Sequence, residues 1–130
     1  MWDLLTTTCL FTLDRFLTGK QGILCLDELN NGLLVNVNIW QHFSILILDF
    51  SKEKRECVSV LKGHSDYIRC VRLLHGSESF ATGSADCTIR IWSSQHEIAT
   101  LRGHTDNVTD LSESIAHGLI SSSSDHTIRV

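Results

Sequence analysis

The chain has 130 residues, a formal net charge of −4 and a pI near 5.9, with 42% hydrophobic and 20% charged residues. That length allows a domain with a real core, since single domains run to about 100–150 residues. The acidic balance offers no basic field to draw in nucleic acid or anionic lipid, so neither is expected as a partner.

At the N-terminus, MWDLLTTTCLFTLDRF carries Asp3 where a secretion signal has Lys or Arg, and its apolar stretch is broken by Asp14 and Arg15. The most apolar window, Gly32 to Phe50, contains Asn36, Asn38, Gln41, His42 and Asp49, too many polar groups for a bilayer-spanning helix. No membrane span is expected. Cys9, Cys25, Cys57, Cys70 and Cys87 are odd in number, widely spaced and set mostly in apolar stretches. Such cysteines suit buried thiols in a reducing compartment, so an intracellular location, cytoplasmic or nuclear, is expected.

The second half repeats itself. Leu61 to Trp92, LKGHSDYIRCVRLLHGSESFATGSADCTIRIW, returns as Leu101 to Val130, LRGHTDNVTDLSESIAHGLISSSSDHTIRV, with the Gly-His pairs 40 residues apart and the Asp-x-Thr-Ile-Arg segments 39 apart. Within the first copy, β-type runs at Ile68–Leu74, Ser79–Thr82 and Thr88–Trp92 are separated by Gly, Ser and Asp turns, the pattern of a small antiparallel meander.

A unit of about 40 residues with Gly-His early and Asp-x-Thr-Ile-Arg-Ile-Trp late resembles the WD repeat. The resemblance implies an all-β fold, a partial β-propeller of four-stranded antiparallel blades: about two and a half blades, with the ring not closed. In that family the Gly-His lies in the turn entering strand a, the Asp between strands b and c, and the Trp at the end of strand c. Carried backwards along the chain, Met1–Asp3 is similar to the end of a strand c and Thr7–Leu13 to its strand d. Gly22–Leu29, Gly32–Asn38, Ser44–Leu48 and Glu56–Leu61 then align as strands a to d of a degenerate blade, with Leu48 where Trp92 stands and no counterpart of Asp86. The expected organisation is residues 1–13 as the end of a blade, 19–61 as the degenerate blade, 62–101 as a complete repeat and 102–130 as a truncated one. Because propellers close with about four to eight blades, the chain is expected to be a fragment of a larger propeller.

The resemblance also implies a hydrogen-bonded tetrad of His64, Thr82, Asp86 and Trp92, repeated as His104, Ser121 and Asp125. Trp92 brings a large apolar body with one N–H donor, Thr82 a hydroxyl that donates and accepts, and Asp86 an acceptor able to tie the b–c turn to the incoming loop. A hydroxyl, an imidazole and a carboxylate invite comparison with a hydrolytic triad. The trio occurs twice, however, and no Gly-x-Ser-x-Gly elbow is present, so an architectural role is expected and no catalytic residue is assigned. The seven histidines and five cysteines lack the close ligand pairs of zinc sites, Thr18–Gly22 lacks the full phosphate-loop pattern, and no cofactor or metal is expected. Asn107-Val108-Thr109 matches a glycosylation acceptor, which without a secretion route is a coincidence.

In the family, partners dock at the mouth of strand a and just before the b–c Asp. By position these are Tyr67, Arg69 and Ala85 in the complete repeat, and Asn107, Thr109 and Ser124 in the next. Tyr and Arg are types enriched at binding hot spots. The expected function is a non-catalytic scaffold that presents a docking face to other proteins or peptide motifs. Two further readings are an appendage of a larger enzyme, such as a ubiquitin ligase or kinase, and self-association through open blade edges.

Overall fold

A computed structural model describes residues 2–3, 8–9, 23–29, 33–38, 43–49 and 56–130. Those residues form thirteen strands and no helix. Two short strands, β1 (Trp2–Asp3) and β2 (Thr8–Cys9), pair antiparallel, and the others build three consecutive meanders. The first sheet runs β3 (Ile23–Glu28), β4 (Leu33–Asn38), β5 (Ile45–Asp49), β6 (Glu56–Leu61). Next come β7 (Ile68–Leu73), β8 (Phe80–Ser84), β9 (Ile89–Trp92) and β10 (Glu97–Leu101), then β11 (Val108–Ser114), β12 (Gly118–Ser123) and β13 (Ile128–Arg129). Every neighbouring pair within a sheet is antiparallel. The architecture is an open arc of propeller blades in which the first strands of successive sheets, β3, β7 and β11, are neighbours. Thr18–Gly22 lies outside the described residues.

Each middle sheet face needs cover, and its neighbours supply it. Leu29, Val35, Val37, Ile45, Ile47, Leu61, Ile68, Phe80 and Trp92 form one core between the first and second sheets, while Cys70, Ala81, Ile89, Val108 and Leu111 form another between the second and third. Strand β8, FATGS, is buried at all five positions because it is covered on both sides: Phe80 enters the first core and Ala81 the second. Strict alternation along β7 would put Ile68 and Cys70 on one face. A β-bulge between them reverses the parity, so Ile68 joins the first core and Cys70 the second. The same irregularity falls at Ile23/Cys25 in β3 and at Val108/Asp110 in β11, so the bulge recurs in the first strand of all three sheets.

Polar contacts join the sheets as well. Asp27 Oδ2 accepts the Leu73 N–H at 2.8 Å, and Arg72 Nε donates to the Leu111 carbonyl at 3.1 Å. Asp27 and Arg72 occupy the same register position in successive strands, so one site serves as acceptor in one unit and donor in the next. Glu113 Oε2 accepts the His75 N–H at 2.6 Å.

The thiols divide. Cys70 is buried, with its pKa pushed up to about 12 by burial, and is chemically quiet. Cys57, expected inside, is exposed on the edge strand β6, because the apolar neighbours that suggested burial, Val58 and Val60, are themselves half exposed there.

The inter-sheet approach is tightest at Gly83, where an added Cβ would lie 2.6 Å from Val108 Cγ1 and 2.7 Å from Cys70 Sγ. Gly83→Ala is therefore expected to destabilise the chain by about 1–3 kcal/mol through overpacking. Urea unfolding monitored by tryptophan fluorescence checks this; an unchanged midpoint would show that the second and third sheets are not held as described.

Candidate functional site

The turn that leads into β7 brings His64 over the second sheet, where it is buried with Thr82 and Trp92. His64 Nδ1 lies 2.8 Å from Asp86 Oδ2, and its Nε2 lies 2.7 Å from Thr82 Oγ1. Trp92 Nε1 donates to the same hydroxyl oxygen at 2.7 Å. Asp86 is acceptor-only, so the His64 Nδ1–H donates to it. Thr82 O–H then donates to Nε2, and its oxygen receives the indole N–H. Each proton in the chain has one consistent place.

Asp86 is satisfied from several directions: Ser65 N–H at 3.0 Å, Thr88 N–H at 2.9 Å and the Thr88 hydroxyl at 2.5 Å. Burial by itself raises the Asp86 pKa, but the hydrogen bonds from Thr88, His64 and Ser65 outweigh it and hold it at about 2. For His64, burial dominates over the attraction of Asp86 and lowers the pKa below its ordinary value, keeping the imidazole neutral.

The third sheet reproduces the arrangement. His104 Nδ1 lies 2.8 Å from Asp125 Oδ2 and Nε2 lies 2.9 Å from Ser121 Oγ. Thr105 N–H and Thr127 N–H donate to the Asp125 carboxylate at 3.1 and 2.9 Å. The Thr127 hydroxyl leads the hydrogen bonds that hold the Asp125 carboxyl well below the usual range. Thr88 and Thr127 were not singled out in the sequence reading, although the shared Asp-x-Thr motif marks both. The surrounding turns match too: Ala85 N–H donates to the Tyr67 carbonyl at 2.8 Å, and Ser124 N–H to the Asn107 carbonyl at 2.9 Å. In the first sheet the register position of Trp92 is held by Leu48.

These groups are poorly placed for covalent chemistry. Thr82 is wholly inaccessible and its oxygen is already bonded to both an imidazole and an indole. What the arrangement does is clasp the turn before strand a to the b–c turn. Among the described residues no group of three or more His, Cys, Asp or Glu is placed to hold a metal ion, and no helix is long and apolar enough to cross a membrane.

Of the positions expected to meet partners, Tyr67, Ala85, Asn107 and Ser124 lie on the turns, while Arg69 and Thr109 lie near the starts of β7 and β11. Tyr67 is 44% exposed and packs edge-on against Phe43, with ring centroids 5.2 Å apart and planes at 84°. The exposed Arg69 guanidinium sits 6.0 Å from the Tyr67 ring centroid and has no carboxylate partner among the described residues. Asn107 is half-buried, and Thr109 is exposed and hydrogen-bonded to Ser122 Oγ at 2.9 Å. Phe43 was missed from sequence. It has φ +57, and by register it matches Cys87 and His126, both at φ +66. A left-handed turn position thus recurs in all three units, but six residues separate β4 from β5 where four separate β8 from β9, which hid the equivalence.

Antiparallel sheets packed face to face, the second and third with their turns tied by a buried His–Asp pair, define a propeller-type repeat protein. The model of the WD domain, G-beta repeat family matches residues 55–93 and 95–130, more than half of the chain, and the chain belongs to that family. It is similar to the ribosome biogenesis protein WDR12 homolog of Drosophila persimilis, at 32% identity over 93 residues, covering 58% of this chain and 22% of that protein. The homolog from Drosophila mojavensis aligns at 29% identity over 118 residues, 77% of this chain and 28% of its own length. Nuclear distribution protein nudF 2 of Aspergillus clavatus is 41% identical over 78 residues, 54% of this chain and 18% of that protein. The chain thus spans 18–28% of the length of these three relatives. The solved structure of U3-55K superposes with a TM-score of 0.72 at 22% identity over 85% of this chain and 36% of that one, a likeness of fold.

Linkage sets the sign of the acid response. The unfolded chain protonates His64 below its ordinary value of 6.5 while the folded chain resists, so stability falls as pH drops through that value. Below 3.8 the Asp86 carboxylate adds a second loss, complete near pH 2. The thermal midpoint is expected to fall continuously from pH 7 to pH 3. Asp86→Asn should lower it at pH 7, by the equivalent of about 1–3 kcal/mol for a broken buried bond, and make the fall below pH 4 shallower. Calorimetry across this range checks both; a variant with wild-type midpoints would show that the clasp does not hold the turns.

Proposed function

We propose that the chain acts as a non-catalytic scaffold whose clasped turns present a docking face to a protein or peptide partner. The observation that carries this reading is the Phe43–Tyr67–Arg69 cluster: a half-buried ring, an exposed ring and an exposed guanidinium with no carboxylate partner among the described residues, set at and beside a turn that a buried hydrogen-bond network holds. Aromatic and arginine side chains held in place lose little conformational entropy on binding and are the usual energetic anchors of interfaces. Rigid turns on a sheet scaffold are where recognition residues are commonly carried.

Asn107 and Thr109 extend the face onto the third sheet as smaller polar contacts. The names of the relatives, ribosome biogenesis and nuclear distribution proteins, accord with service in an intracellular multiprotein complex, cytoplasmic or nuclear. No cofactor enters this reading. The WD repeats themselves supply docking, and a catalytic activity in the same complex would belong to other domains or chains.

A photo-crosslinking amino acid placed at Tyr67 is expected to trap a partner that the same group placed at Val58, on the exposed edge of β6, does not. Combining Arg69→Glu with Tyr67→Ala is expected to weaken capture of that partner at least about tenfold while leaving the unfolding midpoint unchanged. Equal trapping at both positions, or full retention by the double variant, would remove the assignment of this face.

A further inference from the structure

Three residues of the chain hold a backbone conformation that suits glycine better. Phe43, Cys87 and His126 have φ of +57, +66 and +66, and each stands two residues before the start of its sheet's third strand, at Ile45, Ile89 and Ile128. A side chain in this region carries a cost that glycine avoids, and an outlier that a fold retains points to a use for the side chain. For Phe43 that use lies outside the interior. The residue takes no part in the core between the first and second sheets, and its ring instead lies edge-on to Tyr67, at the entry to β7, with centroids 5.2 Å apart.

The left-handed turn thus carries Phe43 across the seam between two sheets. Beyond the Tyr67 ring stands Arg69, its guanidinium 6.0 Å from the centroid, exposed and without a carboxylate partner among the described residues. Asp66, beside Tyr67 in sequence, turns its Oδ1 to the Tyr67 N–H at 2.7 Å. A planar guanidinium offers paired N–H donors that match a carboxylate, and the two rings beside it offer apolar surface. At the next seam the same three positions are Cys87, Asn107 and Thr109, with no ring and no cation. Burial, and after it the carboxylates of Asp106, Asp86, Asp125 and Asp66, push the Cys87 thiol up, so that seam lies in a negative field.

We propose that Phe43 is a specificity-determining contact, forming with Tyr67 and Arg69 a subsite for a polypeptide segment in which an apolar side chain adjoins an Asp or Glu. The apolar side chain packs on the two rings, and the carboxylate accepts hydrogen bonds from the Arg69 guanidinium. This subsite belongs to the proposed docking face and rests on that reading, to which it adds the chemistry of the partner. The negative second seam repels the carboxylate and confines it to the first. A left-handed position takes glycine without strain, so Phe43→Gly removes the ring and keeps the turn, which separates recognition from folding.

The test selects random heptapeptides displayed on phage against the immobilised 130-residue chain. Enriched sequences are expected to place Asp or Glu next to Leu, Ile, Val or Phe, and the synthesised peptides to bind at least about tenfold more weakly to the Phe43→Gly and Arg69→Glu variants. Selection on Arg69→Glu should exchange the acidic residue for Lys or Arg. Selection on Phe43→Gly should keep the acidic residue and lose its apolar neighbour, with the unfolding midpoint unchanged. Cys87→Gly, the same change one sheet further on, should leave the affinity as it was. Equal binding by a folded Phe43→Gly chain would overturn the proposal. So would a selection that enriches no acidic–apolar pair on the unaltered chain, a result that stands even if the variants fail to fold. Enriched peptides that lose affinity with Tyr67→Ala but lack an acidic residue would leave the docking face standing and remove this subsite; peptides indifferent to Tyr67→Ala would remove both.

Discussion

A twisted antiparallel sheet of four short strands cannot shield its own apolar faces, and nearly everything else in this chain follows from that constraint. Strand β8 has five buried residues and no solvent face, which is stable only if a sheet lies on each side. The two cores are correspondingly inter-sheet cores, with Phe80 and Trp92 turned one way and Ala81 and Ile89 the other. Trp→Ala or Phe→Ala changes in such cores cost about 3–5 kcal/mol, a large share of the stability of any domain this size.

Packing on two sides leaves the turns as the places where the chain could slide, and the buried His–Asp pairs act there. A carboxylate in the b–c turn bonded to an imidazole from the preceding loop locks two segments 22 residues apart in sequence. A network of this kind stabilises only when complete, since a single orphaned partner carries the desolvation penalty of its group. Asp86 meets that demand with bonds from Ser65, Thr88 and His64. In the first sheet Leu48 stands at the register position of Trp92.

The same rigidity suits the surface to recognition. Tyr67 emerges directly from the clasped turn, its carbonyl tied to Ala85 N–H and its N–H to Asp66 Oδ1 at 2.7 Å. Phe43 reaches it from the first sheet, so the exposed cluster spans an inter-sheet seam and depends on the core beneath it for its geometry. A ring pair built across a seam is also sensitive to how the two sheets pack, which couples the face to the interior.

Much of this was legible in the amino-acid sequence. The 39- to 40-residue spacing, the Gly-His pairs and the Asp-x-Thr-Ile-Arg segments specify the repeat, the antiparallel strands and which His, Ser or Thr, and Asp residues come together, because period and turn chemistry are local properties. Three features were decided only by tertiary structure. The bulge in β7 reverses the side-chain parity so that Ile68 and Cys70 serve opposite cores, and alternation along a strand cannot reveal an inserted residue. The exposure of Cys57 follows from β6 being an edge strand, a matter of sheet order and not of neighbouring hydrophobicity. The meeting of Phe43 with Tyr67, and of Asp27 and Arg72 with the backbone of the next sheet, depends on which sheets lie together; those contacts join residues 24 to 46 positions apart, and no local pattern records them.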